Sequence, residues 1–202
     1  VTAPNGVGIP QFREAIKNGK SGIQFDPQLA QLQFSCQVAG KPEINEALMA
    51  SCFTAIELRH FNSTGILYGV IAGMEAWKDA GLALPEGNEP DWDSGTIFGC
   101  GTSGIDKFRE AIYKVDDLQA RRLGSNVVSQ TMASGISAYL GGKLGLGNQV
   151  STNSSACSTG TESILMCYEK IKSGNALRML AGSTSDSGPY IWAGFDAMKV
   201  CT

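Results

Sequence analysis

Cys157 stands at a predicted junction between a strand and a helix. Val150 to Ala156 form a predicted buried strand, and Thr159 to Ser173 form a predicted helix that Gly174 closes. A thiol at a helix start lies beside backbone N–H groups that lack helical partners, and it feels the positive end of the helix dipole. Both effects favour the thiolate, which is the nucleophilic form, and the same N–H groups can hold a developing oxyanion. The pattern therefore predicts covalent chemistry at Cys157.

The residues alone leave a second interpretation open, in which Cys157 is one more buried cysteine. A cysteine–histidine protease needs a histidine base, and His60, the only histidine, lies in a segment whose secondary structure the sequence does not define. An α/β-hydrolase needs glycine two positions before and two after its nucleophile, where this chain has Ser155 and Thr159. The sequence thus offers a nucleophile without an evident base.

Composition excludes several other classes of function. The net charge of −3 gives no basic surface for nucleic acid, and no apolar run reaches the length of a membrane span. The six cysteines are scattered, the closest pair being Cys157 and Cys167, which argues against a disulfide framework or a zinc site. We therefore expect a cytoplasmic protein without a metal or another cofactor.

A glycine-rich turn follows another predicted strand. Gly95 to Gly99 form the strand, "GCGTSG" forms the turn, and a helix is expected from Ile105 to about Val115. Gly99, Gly101 and Gly104 meet the GxGxxG spacing, but no acidic residue ends a following strand as dinucleotide binding requires. We therefore prefer a tight turn packed near the site over a nucleotide site.

The remaining elements indicate a parallel α/β sheet. A helix is predicted from Asn62-Ser63 to Ala80, with Gly65, Gly69 and Gly73 on one flat strip. A second helix over 127–140, rich in small residues, is expected to pack against the cysteine helix. After that helix, "ALRMLAG" is a predicted buried strand and "STSDSGPY" a predicted loop. Strand–helix–strand order around Cys157 favours parallel pairing.

An ordered series of motifs resembles the β-ketoacyl-acyl carrier protein synthases, condensing enzymes of the thiolase superfamily. The segment "SSACSTGTESI…IKSG…MLAG" is similar to their active-site region, and "FREAIKNGKSGI", "GVIAGMEAWKDAGL", "GTIFGCGTSGI" and "AGFDAMKV" are similar to other segments of the family in the same order. The resemblance implies a thiolase-like α/β fold, with a mixed, mostly parallel sheet between helices. Residues 1–202 would be the N-terminal half of the layered αβαβα domain.

The resemblance also implies roles for particular residues. Cys157 would accept an acyl group from an acyl carrier protein thioester, for decarboxylative condensation with a malonyl thioester, and its own N–H would be one oxyanion donor. Thr102 and Phe195 would lie near the acyl channel. The family's two catalytic histidines belong to its C-terminal half, so these residues alone are not expected to complete condensation. A homodimer is implied, with the strand before Cys157 near the twofold axis.

Two alternatives to a carrier-protein-dependent condensing enzyme remain open. A thiolase-like enzyme would take acyl-coenzyme A instead of a carrier protein, and a chain-length-factor-like subunit would have no catalytic role, although such subunits lack the cysteine that is present here. The chain also departs from the family's usual Gly-Gly-x-Glu after the strand, since "GSTS" places Ser183 and Ser185 at those positions.

Overall fold

Three parallel strands form the centre of the structure, a computed structural model that describes residues 1–201. Strand β5 runs in the middle of the sheet, with β6 on one side and β7 on the other, and both neighbours pair with it in parallel. Two small antiparallel pairs, β1 with β2 and β3 with β4, lie outside this sheet. The strands are Thr2–Ala3 (β1), Gly6–Val7 (β2), Ile23–Phe25 (β3), Val38–Gly40 (β4), Ser94–Cys100 (β5), Val150–Ser151 (β6) and Arg178–Thr184 (β7).

Ten α-helices and two short 3-10 turns connect and cover these strands within residues 1–201. The turns are Ala120–Arg122 and Ala156–Ser158. The helices are Ile9–Lys17 (α1), Pro27–Gln31 (α2), Glu46–Cys52 (α3), Ala55–Leu58 (α4), Thr64–Asp79 (α5), Ile105–Asp116 (α6), Val127–Thr131 (α7), Gly135–Leu144 (α8), Thr159–Lys172 (α9) and Pro189–Ala197 (α10). No helix of this described part is long and apolar enough to cross a bilayer.

Helices cover both sides of the sheet, as the sequence predicts. Helix α9 packs against β5 and β7, while α5 and α8 pack against each other and contact β7 and β5. The predicted helix over 127–140 is instead divided into α7 and α8, and the expectation that it packs on the cysteine helix is wrong. Helix α8 instead contacts α5, through the side chains of Ile136 and Leu140.

The glycine strip on α5 is the physical basis of that contact. A Cβ atom on Gly69 would lie 2.6 Å from the Ile136 Cδ1 atom, and one on Gly73 would lie 2.6 Å from the Leu140 Cδ2 atom. Both distances are too short for a carbon–carbon contact. The strip therefore receives the side chains of α8 rather than another backbone.

Two element predictions need correction near the site. Strand β6 ends at Ser151, so most of the predicted strand from Val150 to Ala156 is an irregular segment. The predicted loop "STSDSGPY" gives way to α10 at Pro189, because proline suits the first turn of a helix. The predicted strands from Gly95 and within "ALRMLAG" are confirmed as parts of β5 and β7.

Candidate active site

The chain turns sharply between β6 and α9 and exposes Cys157 at that turn. Residues Ala156–Ser158 form a 3-10 turn that leads directly into α9. Ala156 has a φ of 50°, in the left-handed region that non-glycine residues rarely adopt. Cys157 is exposed, and no backbone hydrogen bond within residues 1–201 uses its N–H group. The turn thus presents both a thiol and a free N–H donor.

Short-range hydrogen bonds fix the shape of this turn. The Ser155 N–H group donates to Thr159 Oγ1 at 2.9 Å, and Thr159 Oγ1 donates to the Ala156 carbonyl oxygen at 2.7 Å. Ser158 Oγ donates to the Ser155 carbonyl oxygen at 2.8 Å. These bonds hold Ala156 in its strained conformation and so set the direction of the Cys157 side chain.

A second group of polar side chains ties the turn to the first turns of α9. Asn153 Nδ2 donates to the Thr159 carbonyl oxygen at 2.9 Å and to Glu162 Oε2 at 2.8 Å, and its Oδ1 accepts from Ser163 Oγ at 2.7 Å. Ser155 Oγ donates to the same Glu162 oxygen at 2.7 Å. Hydrogen bonds from Asn153 and then from Ser155 lower the pKa of Glu162, so the carboxylate form dominates in this network.

A cavity of about 1190 Å³ opens beside the thiol, at the carboxyl edge of the parallel sheet. Cys157, Thr102 and Phe195 all line it, so the structure brings the three predicted site residues together. They come from different elements: Thr102 follows β5, Cys157 follows β6, and Phe195 lies on α10. His60 does not line this cavity; its carbonyl oxygen accepts a hydrogen bond from the buried Lys107 Nζ at 2.7 Å.

One buried carboxylate in the cavity wall joins the starts of two helices. Asp186 is only 5% exposed, its Oδ1 accepts from the Gly65 N–H at 2.7 Å, and its Oδ2 accepts from the Ile105 N–H at 3.0 Å. Gly65 lies in the first turn of α5, and Ile105 begins α6. Helix N-termini stabilise negative charge, which explains how this buried carboxylate is tolerated although none of residues 1–201 pairs a cation with it.

The buried cysteine nearest to this wall is unsuited to nucleophilic attack. Burial, and then the charge of Asp186, raise the pKa of Cys100 to about 11. Its Sγ donates to the Thr102 carbonyl oxygen at 2.9 Å. Cys100 therefore acts as a small core residue that positions the Thr102 loop.

Packing accounts for two glycines of the GxGxxG pattern. A Cβ atom on Gly99 would lie 2.0 Å from Thr159 Cγ2, and one on Gly104 would lie 1.9 Å from the Gln130 carbonyl oxygen. Gly104 also has a φ of 70°. The preferred interpretation, a tight turn packed near the site, agrees with this geometry.

Sequence reasoning missed several residues that line the cavity. Tyr68 lies on α5, Ser154 lies before the cysteine turn, and Asp186 follows β7. Tyr68 lies among the glycines and apolar residues of the helix predicted from Asn62-Ser63 to Ala80, so its type gave no functional signal. For Ser154 and Asp186 the useful signal was position, since residues that follow parallel strands meet at one edge of the sheet.

Comparison with known proteins identifies the relatives of this chain. The sequence model of the family described as "Beta-ketoacyl synthase, N-terminal domain" matches residues 1–202. The 3-oxoacyl-[acyl-carrier-protein] synthase 2 of Vibrio cholerae is 30% identical, over 98% of this chain and 47% of its own length. The putative polyketide beta-ketoacyl synthase 1 of Streptomyces halstedii is 24% identical, over 98% of this chain and 48% of its own length. The chain thus spans about half the length of these curated relatives.

Solved structures share the same fold. A beta-ketoacyl synthase from Burkholderia phymatum STM815 superposes with a TM-score of 0.80 at 22% identity, covering 98% of this chain and 48% of that one. The ishigamide ketosynthase/chain length factor superposes with a TM-score of 0.82 at 18% identity and the same two coverages. The predicted thiolase-like α/β fold is confirmed.

Proposed function

The chain belongs to the β-ketoacyl synthase family, and we propose that it is an acyl-transferring condensing enzyme in which Cys157 accepts the acyl group. The observation that carries this proposal is the exposed thiol at the start of α9, beside a cavity large enough for an acyl chain. We further propose that residues 1–202 are the N-terminal part of a longer synthase domain. The two histidines that the family resemblance implies would come from the C-terminal part of that domain.

The chemistry we propose begins with transfer of the acyl group. The Cys157 thiolate attacks the carbonyl carbon of an acyl thioester, a carbon–sulfur bond forms, and the donor thiolate leaves. A malonyl thioester then loses carbon dioxide, and its carbanion attacks the acyl carbon on Cys157. The Cys157–acyl bond breaks, which regenerates the thiolate and releases a 3-oxoacyl thioester. No oxidant or reductant is needed.

The backbone around the thiol supports stabilisation of the oxyanion. Each attack places negative charge on the former carbonyl oxygen, and an N–H group aimed at that oxygen lowers the barrier. Because the Cys157 N–H has no backbone acceptor within residues 1–201, it is available for this purpose. The fixed hydrogen bonds of Ser155 and Thr159 would keep it in place during both attacks.

An acyl carrier protein is the donor we propose, because the related Vibrio protein is named as a synthase of acyl-carrier-protein-bound products. Coenzyme A thioesters are the alternative donors. Acylation rates with the same acyl chain on a carrier protein and on coenzyme A would separate the two. A higher kcat/KM with coenzyme A would favour the thiolase-like alternative.

We also propose a homodimer that forms around β6. Within residues 1–201, strand β6 is the edge of its sheet and pairs only with β5, so its other edge is open to a second strand. Analytical ultracentrifugation of the intact protein should show a dimer, and a monomer at micromolar concentration would contradict the proposal.

The decisive test of the proposed function is acyl transfer to one defined cysteine. After incubation of the intact protein with an acyl-carrier thioester, we expect peptide mass mapping to find the acyl group on Cys157. The Cys157→Ala variant should lose both this label and product formation, whereas Cys52→Ala, a half-buried cysteine outside the cavity, should retain them. Equal labelling of all six cysteines would refute the proposed nucleophile. Unchanged product formation by Cys157→Ala would support the non-catalytic, chain-length-factor-like alternative.

A further inference from the structure

The cavity beside Cys157 has two chemically different walls. Helix α10 provides an apolar wall through Ile191, Trp192 and Phe195. The other wall consists of the end of β7 and the segment that follows it, Ser183 to Ser187, every residue of which carries a hydroxyl or carboxylate group. A cavity built only for hydrocarbon would not need this polar wall.

Some polar groups of this wall already have protein partners. Thr184 Oγ1 donates to the Gly65 carbonyl oxygen at 2.6 Å, the Ser187 hydroxyl lies 2.8 Å from the Tyr68 hydroxyl, and both Asp186 oxygens accept backbone N–H groups. These side chains fix the structure of the wall. They are not the groups that would bind a ligand.

Four serine and threonine hydroxyl groups that line the cavity are free. Thr102, Ser154, Ser183 and Ser185 are all exposed to the cavity, and their side chains make no hydrogen bond to any of residues 1–201. Ser183 and Ser185 are the two residues that replace the glycine and glutamate usual in the family. A departure in sequence thus coincides with unpaired donors and acceptors in the site.

One of these free hydroxyls, that of Ser183, lies close to the start of the helix that follows the nucleophile. Ser183 pairs in register with Gly99 near the carboxyl ends of β7 and β5. A Cβ atom on Gly160 would lie 2.6 Å from Ser183 Oγ, which places this hydroxyl against the first turn of α9, three residues after Cys157. The Ser183 hydroxyl is therefore near the part of an acyl chain closest to its thioester carbon, and the other three hydroxyls line the same cavity.

We propose that the acyl group taken by Cys157 carries oxygen atoms, as keto or hydroxyl groups, on the carbons close to the thioester. This inference rests on the proposed function and deepens it. A saturated chain would cover the four hydroxyls without pairing them, and unpaired buried polar groups are costly. An oxygenated chain pairs them on one side and lays its carbons against α10 on the other. A site built to hydrogen-bond a substrate oxygen discriminates against the analogue that lacks it.

The test compares acyl chains of equal length on the same carrier protein. We would measure kcat/KM for acylation of Cys157 in the intact protein with octanoyl, 3-hydroxyoctanoyl and 3-oxooctanoyl thioesters. We expect the oxygenated chains to be favoured about tenfold, as one or two added hydrogen bonds provide. In Ser183→Ala/Ser185→Ala and in Thr102→Val, this ratio should fall towards one. Ser173→Ala, which removes a hydroxyl at the far end of α9, should keep the wild-type ratio.

Each result bears on the proposal. A wild-type preference for octanoyl, or equal rates for the three chains, would overturn the inference while the proposed function stands, because Cys157 would still be acylated. A tenfold preference that the serine and threonine variants leave unchanged would overturn the assignment to these hydroxyls. If no thioester acylates Cys157, the proposed function fails and this inference fails with it. The wild-type comparison needs no variant, so a misfolded variant does not block the test.

Discussion

At the scale of single residues, Ala156 is the position that most directly controls the nucleophile. A left-handed backbone conformation costs an L-residue about 1 kcal/mol or more, because its Cβ approaches the following carbonyl oxygen. Ala156, which immediately precedes Cys157, adopts this conformation with a φ of 50°. Strain of this kind persists only where surrounding contacts enforce it, and it commonly serves to aim a functional group.

This strain leads to paired expectations for Ala156. Ala156→Gly should raise the free energy of unfolding by about 1 kcal/mol, because glycine adopts positive φ without penalty. Ala156→Val should lower it by about 2 kcal/mol, because a β-branched residue is poorly accommodated there, and should slow acylation of Cys157. Urea denaturation and the acylation rate would measure the two effects. Greater stability of the valine variant would show that the left-handed conformation is not present in solution.

Residue types predicted part of the site and missed another part. Cys157 was found because a thiol at a predicted helix start has a chemical reason to be there, and Thr102 and Phe195 followed from the family resemblance. Ser154 and Ser185 could not be found in this way, since a hydroxyl is common in loops. Their positions after parallel strands, the cavity, and the absence of a hydrogen-bond partner within residues 1–201 distinguish them.

At the scale of elements, the joint between β5 and α9 depends on a glycine. Gly99 faces Thr159, whose Cγ2 atom lies where a Cβ would need to be, and Asn153 Oδ1 would be 2.6 Å from the same Cβ. Both neighbours belong to the hydrogen bonds that hold the cysteine turn. The strand can therefore approach the helix start only because residue 99 has no side chain.

We expect Gly99→Ala to destabilise the protein by about 1–3 kcal/mol, as overpacking of a filled core does. It should also reduce the acylation rate, because relief of the clash must move Thr159. Gly142→Ala is the matched control: Gly142 lies within α8 with no atom within 4 Å of the added Cβ, so helix propensity should make this change neutral or stabilising by up to about 1 kcal/mol. Thermal unfolding would measure the stability of both variants relative to wild type. Equal changes in stability for the two variants would contradict the packing seen at Gly99.

The sequence predicts regular elements best where apolar residues recur at a clear period and where glycine, proline or capping residues mark the ends of an element. Strands β5 and β7 and helices α5 and α9 follow their predicted ranges closely. The packing of the helix over 127–140 was not predictable, because small residues show that some element approaches closely but not which one. Helix α10 was missed because its beginning, after Gly188-Pro189, has the composition of a loop.

At the scale of the whole molecule, acid should weaken contacts between distant segments. Asp26 caps α2 by accepting the Gln28 N–H at 2.9 Å and pairs with Lys41 beyond β4. The hydrogen bond from Lys41 is the main cause that lowers the pKa of Asp26 below its ordinary value of 3.8. Since the folded pKa is lower than the unfolded one, this carboxylate contributes stability above about pH 4. That contribution is lost as the pH falls through the folded pKa.

Asp26→Asn should therefore lower the free energy of unfolding by about 1 kcal/mol between pH 5 and 7, as loss of an ion pair does. The difference from wild type should begin to shrink as the pH falls below the ordinary carboxyl pKa of 3.8, and it should vanish as the pH passes through the lower folded pKa of Asp26. Denaturant titrations at several pH values would measure it. Asp79→Asn, at an exposed carboxylate without an ion pair among residues 1–201, is the control and should show no such pH-dependent difference. A difference for Asp26→Asn that stays constant as the pH is lowered from 7 until the protein unfolds would rule out the ion pair as its origin.

Helix α9 has an outer face that the described residues leave uncovered. Ile164, Leu165, Tyr168 and Ile171 follow helical spacing on this face, and each is between 44% and 62% exposed. A contiguous apolar stripe of this size normally packs against another element. The exposed stripe on α9 therefore supports the proposal that residues 1–202 are the N-terminal part of a longer domain, another part of which would cover this face.

We accordingly expect residues 1–202 expressed alone to self-associate, and the double variant Leu165→Glu/Tyr168→Glu to reduce that association. Ile56→Glu is the control. Ile56 is 85% exposed but lies on another helix, α4, so this change should leave the self-association as it is in the wild type. Light scattering at increasing protein concentration would measure the effect. Residues 1–202 that stay monomeric at high concentration would show that this stripe does not need to be covered.

The carboxylate of Asp186 has a mechanical consequence for the whole cavity. Because one buried side chain is bonded to the first turns of both α5 and α6, neither helix can move outward without leaving a charge unsolvated. Helix α10, in which only Pro189 is buried, is held instead by the partly exposed Asp196, whose carboxylate accepts the Ser35 and Cys36 N–H groups at 3.0 and 2.9 Å. Water can replace those two hydrogen bonds, whereas it cannot reach the buried Asp186 in the same way. Displacement of α10 is therefore the less costly way for the cavity to admit a bulkier acyl group.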